Sequence, residues 1–279
     1  MTLIPAAYER DGYFFPYHVT GAAEAAALVA DLEAAEAGLA GDPARLSLLH
    51  SYPAQLLPSF AGLVRHPRLI EAVSGIIGPD LLVWSCSFFI KEAGSKSYVS
   101  WHQDLNYWGL DGDDEVTAWY ALTPATVDNG CMRFVPGSHR RKDVRHVDTF
   151  APDNLLTRGQ EIAVEVDEAA GVDVLLRAGQ CSFHHGHMFH ASGPNRTSAR
   201  RLGFAIRYVA PSMKQVSGAK LLVSHVAGED RYRHFEHMPA PSGRLLAEDF
   251  ERARRNADMK RGILYQGVEP ERVKQRRRG

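Results

Sequence analysis

Cysteine is scarce: the chain of 279 residues has three, Cys86, Cys131 and Cys181, far apart and odd in number. This argues against a disulfide framework, and without a Cys-x-x-Cys pair there is no thiolate zinc site. Net charge is also missing. The 32 Lys and Arg against 33 Asp and Glu leave −1, without the basic excess that phosphate contacts demand of a general nucleic-acid binder. No apolar run approaches the roughly 18 residues that a membrane span needs. The opening stretch MTLIPAAYERDGYFF lacks the basic-then-apolar order of a secretory leader. The expectation from these absences is a cytoplasmic protein with no membrane or nucleic-acid partner. What remains is ordinary globular composition, 45% hydrophobic and 23% charged, with one excess: 13 histidines, four of them between His184 and His190.

Neither an internal repeat nor a low-complexity linker breaks the chain, so 1–279 reads as one domain. Residues 1–80 read as a helical flank. The Ala- and Glu-rich stretch 21–38 is helical, with Thr20 placed to cap it. Stretch 57–77 has apolar residues near helical spacing, but Pro67 divides it into two short helices. From residue 81 the pattern turns to β, through LLVWSCSFFIKEA, VTAWYALTPAT, GCMRFVPGSH, VDVLLRAGQ, CSFHHGHMFHAS and RLGFAIRYVAP. Strands at this spacing with no helices between them predict an antiparallel sandwich or barrel over 81–211. The polar stretch 140–171 reads as an insertion over one mouth of it. Residues 212–279 form a C-terminal extension, with a helix over 244–260 and a solvated basic tail, ERVKQRRRG. Asn129-Gly130 and the Pro136–His139 segment PGSH are read as structural turns.

The chemistry starts at His102-Gln103-Asp104. If 98–104 is extended, alternation puts His102 and Asp104 on one face. Alone this is weak, but the segment HHGHMFHAS offers four further histidines, His184, His185, His187 and His190. Two histidines and one carboxylate with open coordination positions are the facial triad of non-haem Fe(II) oxygenases, whereas structural zinc prefers four closed ligands. Phe88, Phe89, Trp101, Tyr107 and Trp108 read mainly as core. Tyr107 or Trp108 could face the substrate, and an aromatic wall suits either an apolar molecule or a quaternary ammonium.

The ordered set WHQDLNYW, TAWYAL, NGCMRFVPGSH and HASGPNRTSARR resembles the phytanoyl-CoA dioxygenase family of Fe(II)/2-oxoglutarate oxygenases. The resemblance spans roughly 80–211, with fainter matches at YERDGYFF and GEDRYRHFE. It implies a mainly β fold with flanking α-helices around a double-stranded β-helix, the jelly-roll and cupin-like core. It further implies Fe(II), 2-oxoglutarate and O₂ as cofactors, with His102, Asp104 and His190 as the catalytic metal ligands. Arg201 would hold the distal carboxylate of 2-oxoglutarate through its guanidinium fork, with Ser192 and Trp119 beside it. Arg200 would point to the other face of the strand, and the remaining histidines of the cluster are read as structural. The expected reaction is hydroxylation of a small-molecule metabolite with release of succinate and CO₂. Related iron halogenases have a small residue at the carboxylate position, which Asp104 fills here. Two alternatives stand beside this reading: a cupin-like metal enzyme without 2-oxoglutarate, which would not need Arg201, and a non-catalytic small-molecule binding module on the same fold.

Overall fold

The computed structural model describes residues 3–264 apart from 143 and 157, so the basic tail lies outside the described residues. Six helices surround the first strand: α1 (Leu3–Asp11), α2 (Ala22–Gly38), α3 (Pro43–Ser51), α4 (Pro53–Leu56), α5 (Pro58–Leu63) and α6 (Pro67–Ile77). That strand is β1 (Tyr13–His18). β2 (Leu81–Lys91), β3 (Val99–His102), the short helix α7 (Leu105–Trp108), β4 (Glu115–Ala121) and β5 (Met132–Phe134) follow. The insertion carries β6 (His146–Asp148) and β7 (Gln160–Ile162). Next come β8 (Val172–Asp173), β9 (Gln180–His184), β10 (His190–Ser192), β11 (Arg201–Val209), β12 (Leu222–Ala227), β13 (Glu236–His237) and helix α8 (Ala247–Leu264).

A seven-stranded sheet runs β1-β9-β4-β11-β2-β12-β13, a four-stranded sheet runs β3-β10-β5-β8, and β6 pairs with β7 alone. Together the two larger sheets make the double-stranded β-helix. Side-chain alternation sorts the strands of the larger sheet. On β11, Leu202, Phe204, Ile206 and Tyr208 join the core formed against the helices, together with Phe60, Leu69 and Val73. Arg201, Ala205 and Arg207 face the other way, into the cavity between the sheets. β4 repeats the pattern, with Ala118 and Tyr120 toward the helices and Thr117 and Trp119 toward the cavity.

Several expectations need correction. The helical flank contains β1, an aromatic segment that pairs with β9 and so belongs to the large sheet. The C-terminal extension likewise contributes β12 and β13. Thr20 does not cap α2. Gly21 is the N-cap without a side-chain bond, and the Thr20 hydroxyl instead meets the Tyr120 hydroxyl at 2.6 Å. Pro67 does divide its stretch, as the first residue of α6, where its missing N–H costs nothing. PGSH turns into a one-turn 3₁₀ helix after Gly137, at φ 75°, and the Ser138 hydroxyl accepts from Phe189 N at 2.8 Å, bracing the approach to β10. No helix among the described residues is long and apolar enough to cross a membrane.

Candidate active site

Antiparallel pairing of β3 and β10 sets His190 directly opposite His102, 88 residues apart in the chain, with ring centroids 4.0 Å apart. Asp104 arrives differently from the extended geometry expected. The strand ends at His102, and Asp104 has α-region φ/ψ (−72°, −50°) ahead of α7. The turn is held by the Asp104 and Leu105 amides, which both donate to the Gly186 carbonyl, and by the buried Gln103 amide, which donates to the carbonyls of Arg141 and His187. The Asp104 carboxylate thereby lies 3.2 Å from His102 Nε2.

The two histidines are oriented through their far nitrogens. His102 Nδ1 faces the carbonyls of Ser100 (2.9 Å) and His190 (3.1 Å), and His190 Nδ1 faces the Met188 carbonyl (3.0 Å). A carbonyl only accepts, so each Nδ1 carries the hydrogen and each Nε2 presents its lone pair. Burial, reinforced by His102, lowers the His190 pKa to about 3, so the ring is neutral at physiological pH. Burial by itself would raise the pKa of Asp104, but in acid the protonated His102 bonds to it and, with protonated His190 and Arg207, more than offsets that, holding it well below the usual carboxylate range. One ligand atom from each of His102, Asp104 and His190 lies within 4.8 Å of the others. Two imidazole lone pairs and a carboxylate converging in a dry interior repel one another unless a cation lies among them. The donor set therefore fits a divalent metal with open positions.

The same cavity is lined at its other end by Arg201, Trp119 and Ser192. Arg201 is 2% exposed, its guanidinium stacks over Trp119 at 5.2 Å, and its Nε has no hydrogen-bond partner. Burial lowers its pKa to about 10, and no carboxylate among the described residues compensates. Arg200 points away and forms a fork with Glu36 at 2.7 and 2.8 Å. Gly203 makes room for Trp119, because a Cβ there would stand 1.8 Å from its ring.

Three residues in or behind the cavity wall escaped the reading of the sequence. Lys91, opposite Arg201 on β2, donates to Ser192 Oγ at 2.7 Å and to the Gly193 carbonyl. Its pKa is lowered to about 6, by burial and then by Arg201. A lone lysine in the apolar run SFFIKEA was the available signal. Arg207 has the same strand parity as Arg201; it lies 4.0 Å from the Asp104 carboxylate and donates to Ser87. His184, read as structural, lies in the cavity wall 4.8 Å from His190, with neither ring nitrogen hydrogen-bonded. His187 contributes its carbonyl, the one that takes Gln103, and its ring stacks on His185.

A buried pair of histidines with one carboxylate inside a double-stranded β-helix, facing an arginine with no counter-ion among the described residues, defines the class of Fe(II)- and 2-oxoglutarate-dependent oxygenases. The family model described as phytanoyl-CoA dioxygenase (PhyH) matches residues 8–203, and the chain belongs to that family. CytC3, solved with Fe(II) and alpha-ketoglutarate, shares the fold, with 20% identity and a TM-score of 0.63 over 85% of this chain and 93% of that one. The solved structure of the non-heme monooxygenase ThoJ in its apo form is 34% identical, with a TM-score of 0.84 over 99% of both chains. The nickel complex of ThoJ is 32% identical, with a TM-score of 0.81 over 95% of this chain and 100% of that one. The probable alpha-ketoglutarate-dependent hypophosphite dioxygenase of Stutzerimonas stutzeri is 29% identical over 53% of this chain and 52% of its own length. The chain thus spans about half the length of the curated relatives it matches.

Proposed function

We propose that the chain forms one oxygenase domain that hydroxylates a small-molecule metabolite, converting 2-oxoglutarate and O₂ to succinate and CO₂. His102, Asp104 and His190 hold the metal, and Arg201, Ser192 and Trp119 hold the cosubstrate. The observation that carries this reading is the buried, uncompensated Arg201 at the opposite end of the cavity from the three converging ligand atoms. A cupin-like enzyme without 2-oxoglutarate has no use for such a charge, whose burial is costly until an anion pairs with it.

Bound iron supplies the activation of O₂, and the protein supplies placement and a dry site. The Arg201 fork matches a carboxylate in a bidentate manner, and the Trp119 face keeps the guanidinium in plane. The Ser192 hydroxyl accepts from Lys91, which leaves its own hydrogen to donate to the same carboxylate. The backbone carbonyls behind His102 and His190 keep both rings in the ligating tautomer throughout.

The test is anaerobic titration with Fe(II) and 2-oxoglutarate. A weak visible charge-transfer band with one iron per chain is expected, together with slow uncoupled succinate formation once air is admitted. Tightly held stoichiometric zinc and no 2-oxoglutarate binding would overturn the reading.

A further inference from the structure

A second cavity, of about 330 Å³, opens on the far side of the candidate metal ligands. It touches His102 and Asp104 and is walled by Tyr52, Trp84, Phe89, Tyr107 and Trp108, with Leu155 and Leu156 of the insertion at its rim. Trp84 and Trp108 stack with centroids 5.0 Å apart. Helix α8 closes the cavity with Lys260 and Leu264, and Arg158 of the insertion reaches the Leu264 carbonyl at 3.1 Å. Small flat molecules suit such a wall.

Its charges are one-sided. Among the described residues Asp104 is the only carboxylate in the lining, and it is committed to the metal in the function proposed above, on which this inference rests. Against it stand Arg207 and Lys260. Arg207 already has Asp104, Ser87 and the rings of Phe89 and Trp108. Lys260 is different. It is buried, donates to the Trp84 carbonyl at 3.0 Å and lies 4.3 Å from the centre of the Trp84 ring, and no carboxylate among the described residues faces it. Burial and then Arg207 lower its pKa to about 7, so an anion bound beside it favours the charged form; the ammonium has three donors, and the Trp84 carbonyl takes one of them. Both cations also lie beyond the family-matched segment 8–203, where features particular to this chain would reside.

We infer that the substrate carries an oxyanion, a carboxylate or phosphate, on a flat apolar body, and that Lys260 anchors that anion while the aromatic wall holds the body beside the metal ligands. The cationic lining disfavours the quaternary ammonium that an aromatic wall alone would have allowed. Lys260 is on this reading a specificity-determining residue and takes no part in the chemistry.

The experiment is calorimetry on the full chain with Fe(II) and 2-oxoglutarate in the absence of oxygen. The probes are 3-phenylpropionate and indole-3-acetate, the corresponding amides, benzyl phosphate with benzyl alcohol, and phenethyltrimethylammonium. At least one anion is expected to bind tighter than its neutral partner by about ten- to a hundredfold, the worth of a hydrogen bond to a charged group. The carboxylate and phosphate arms separate the two oxyanions. Lys260→Gln should abolish the anion preference while leaving the neutral probes and 2-oxoglutarate unaffected, and Lys260→Arg should restore it. A lysine that only ties α8 to β2 would move anion and amide affinities together. The inference fails if no anion outbinds its neutral partner, if the preference survives Lys260→Gln, or if the ammonium probe binds best. Even if Lys260→Gln fails to fold, the absence of an anion preference in the unsubstituted protein overturns the inference. Loss of the charge-transfer band, by contrast, counts against the oxygenase reading and not against this one.

Discussion

Arg201→Met is expected to move stability and cosubstrate binding in opposite directions. The residue is 2% exposed and has no carboxylate partner among the described residues, and burial lowers its pKa from 12.5 to about 10. That displacement corresponds to about 3 kcal/mol against the charged form. Replacing buried charge by apolar side chains typically recovers about 1–4 kcal/mol. The metal-free, cosubstrate-free variant should therefore be more stable than the parent by about 1–3 kcal/mol. At roughly 2–4 °C per kcal/mol for a chain of this size, its Tm should rise by several degrees. Affinity for 2-oxoglutarate should fall about thirty- to a few thousandfold, equivalent to about 2–5 kcal/mol for a lost buried charge contact. Arg201→Lys should fall between, since an ammonium cannot form the fork. Arg200→Ala is the control: it breaks the fork with Glu36, so it should cost stability yet leave 2-oxoglutarate binding intact. Thermal denaturation of the apo proteins and anaerobic cosubstrate titration read the two effects separately. An Arg201→Met protein with a lowered Tm and normal 2-oxoglutarate affinity would refute the reasoning and make Arg201 a structural residue.

Asp104→Ala should lose iron affinity and hydroxylation sharply. Asp104→Glu should keep some iron but lose most activity, because the longer arm shifts the oxygen beyond the ~0.5 Å a productive site tolerates. With chloride present, mass spectrometry of the product of the unsubstituted enzyme should show hydroxylation alone, and chlorinated product would remove Asp104 from the ligand set. Gly203→Ala drives a methyl into the Trp119 ring, so Trp119 and the guanidinium above it must shift. The expected cost is about 1–3 kcal/mol in chemical denaturation together with weaker 2-oxoglutarate binding, and unchanged binding would show that Trp119 does not position Arg201. Burial raises the pKa of Glu36, but His50 and Arg200 bonds outweigh it and bring it from 4.5 to about 2. A carboxylate so depressed contributes stability above about pH 4.5 and loses it as pH falls toward 2, here about 1–3 kcal/mol. Glu36→Gln should flatten that part of the stability curve, and an unchanged slope in denaturation across pH 2–7 would count against the linkage.

What the sequence by itself determined lies within the reach of local rules. Alternation along RLGFAIRYV separates Arg201 from Arg200 with no knowledge of the sheet, because successive side chains on a strand must face opposite ways. The same parity puts Arg207 on the same face as Arg201, three repeats of the pleat further along. Pro67 ended one helix and began another through its ring and missing N–H alone. Residues in WHQDLNYW and HASGPNRTSARR carried the resemblance on which the choice of His190 among four histidines depended. Other features were decided only by the tertiary structure, since they depend on which strands pair and in what register. Nothing local distinguishes β3 from any other apolar segment as the partner of β10, yet that pairing sets His102 against His190. Asp104 reached the cluster by a turn pinned to the Gly186 carbonyl, a contact across 82 residues that overrode the extended geometry. Strand β1, within a flank that reads as helical, was drawn into the large sheet by the free edge of β9. Lys260, on a helix whose own sequence is polar, became buried because α8 packs over the aromatic cavity, where its ammonium found the Trp84 carbonyl and ring.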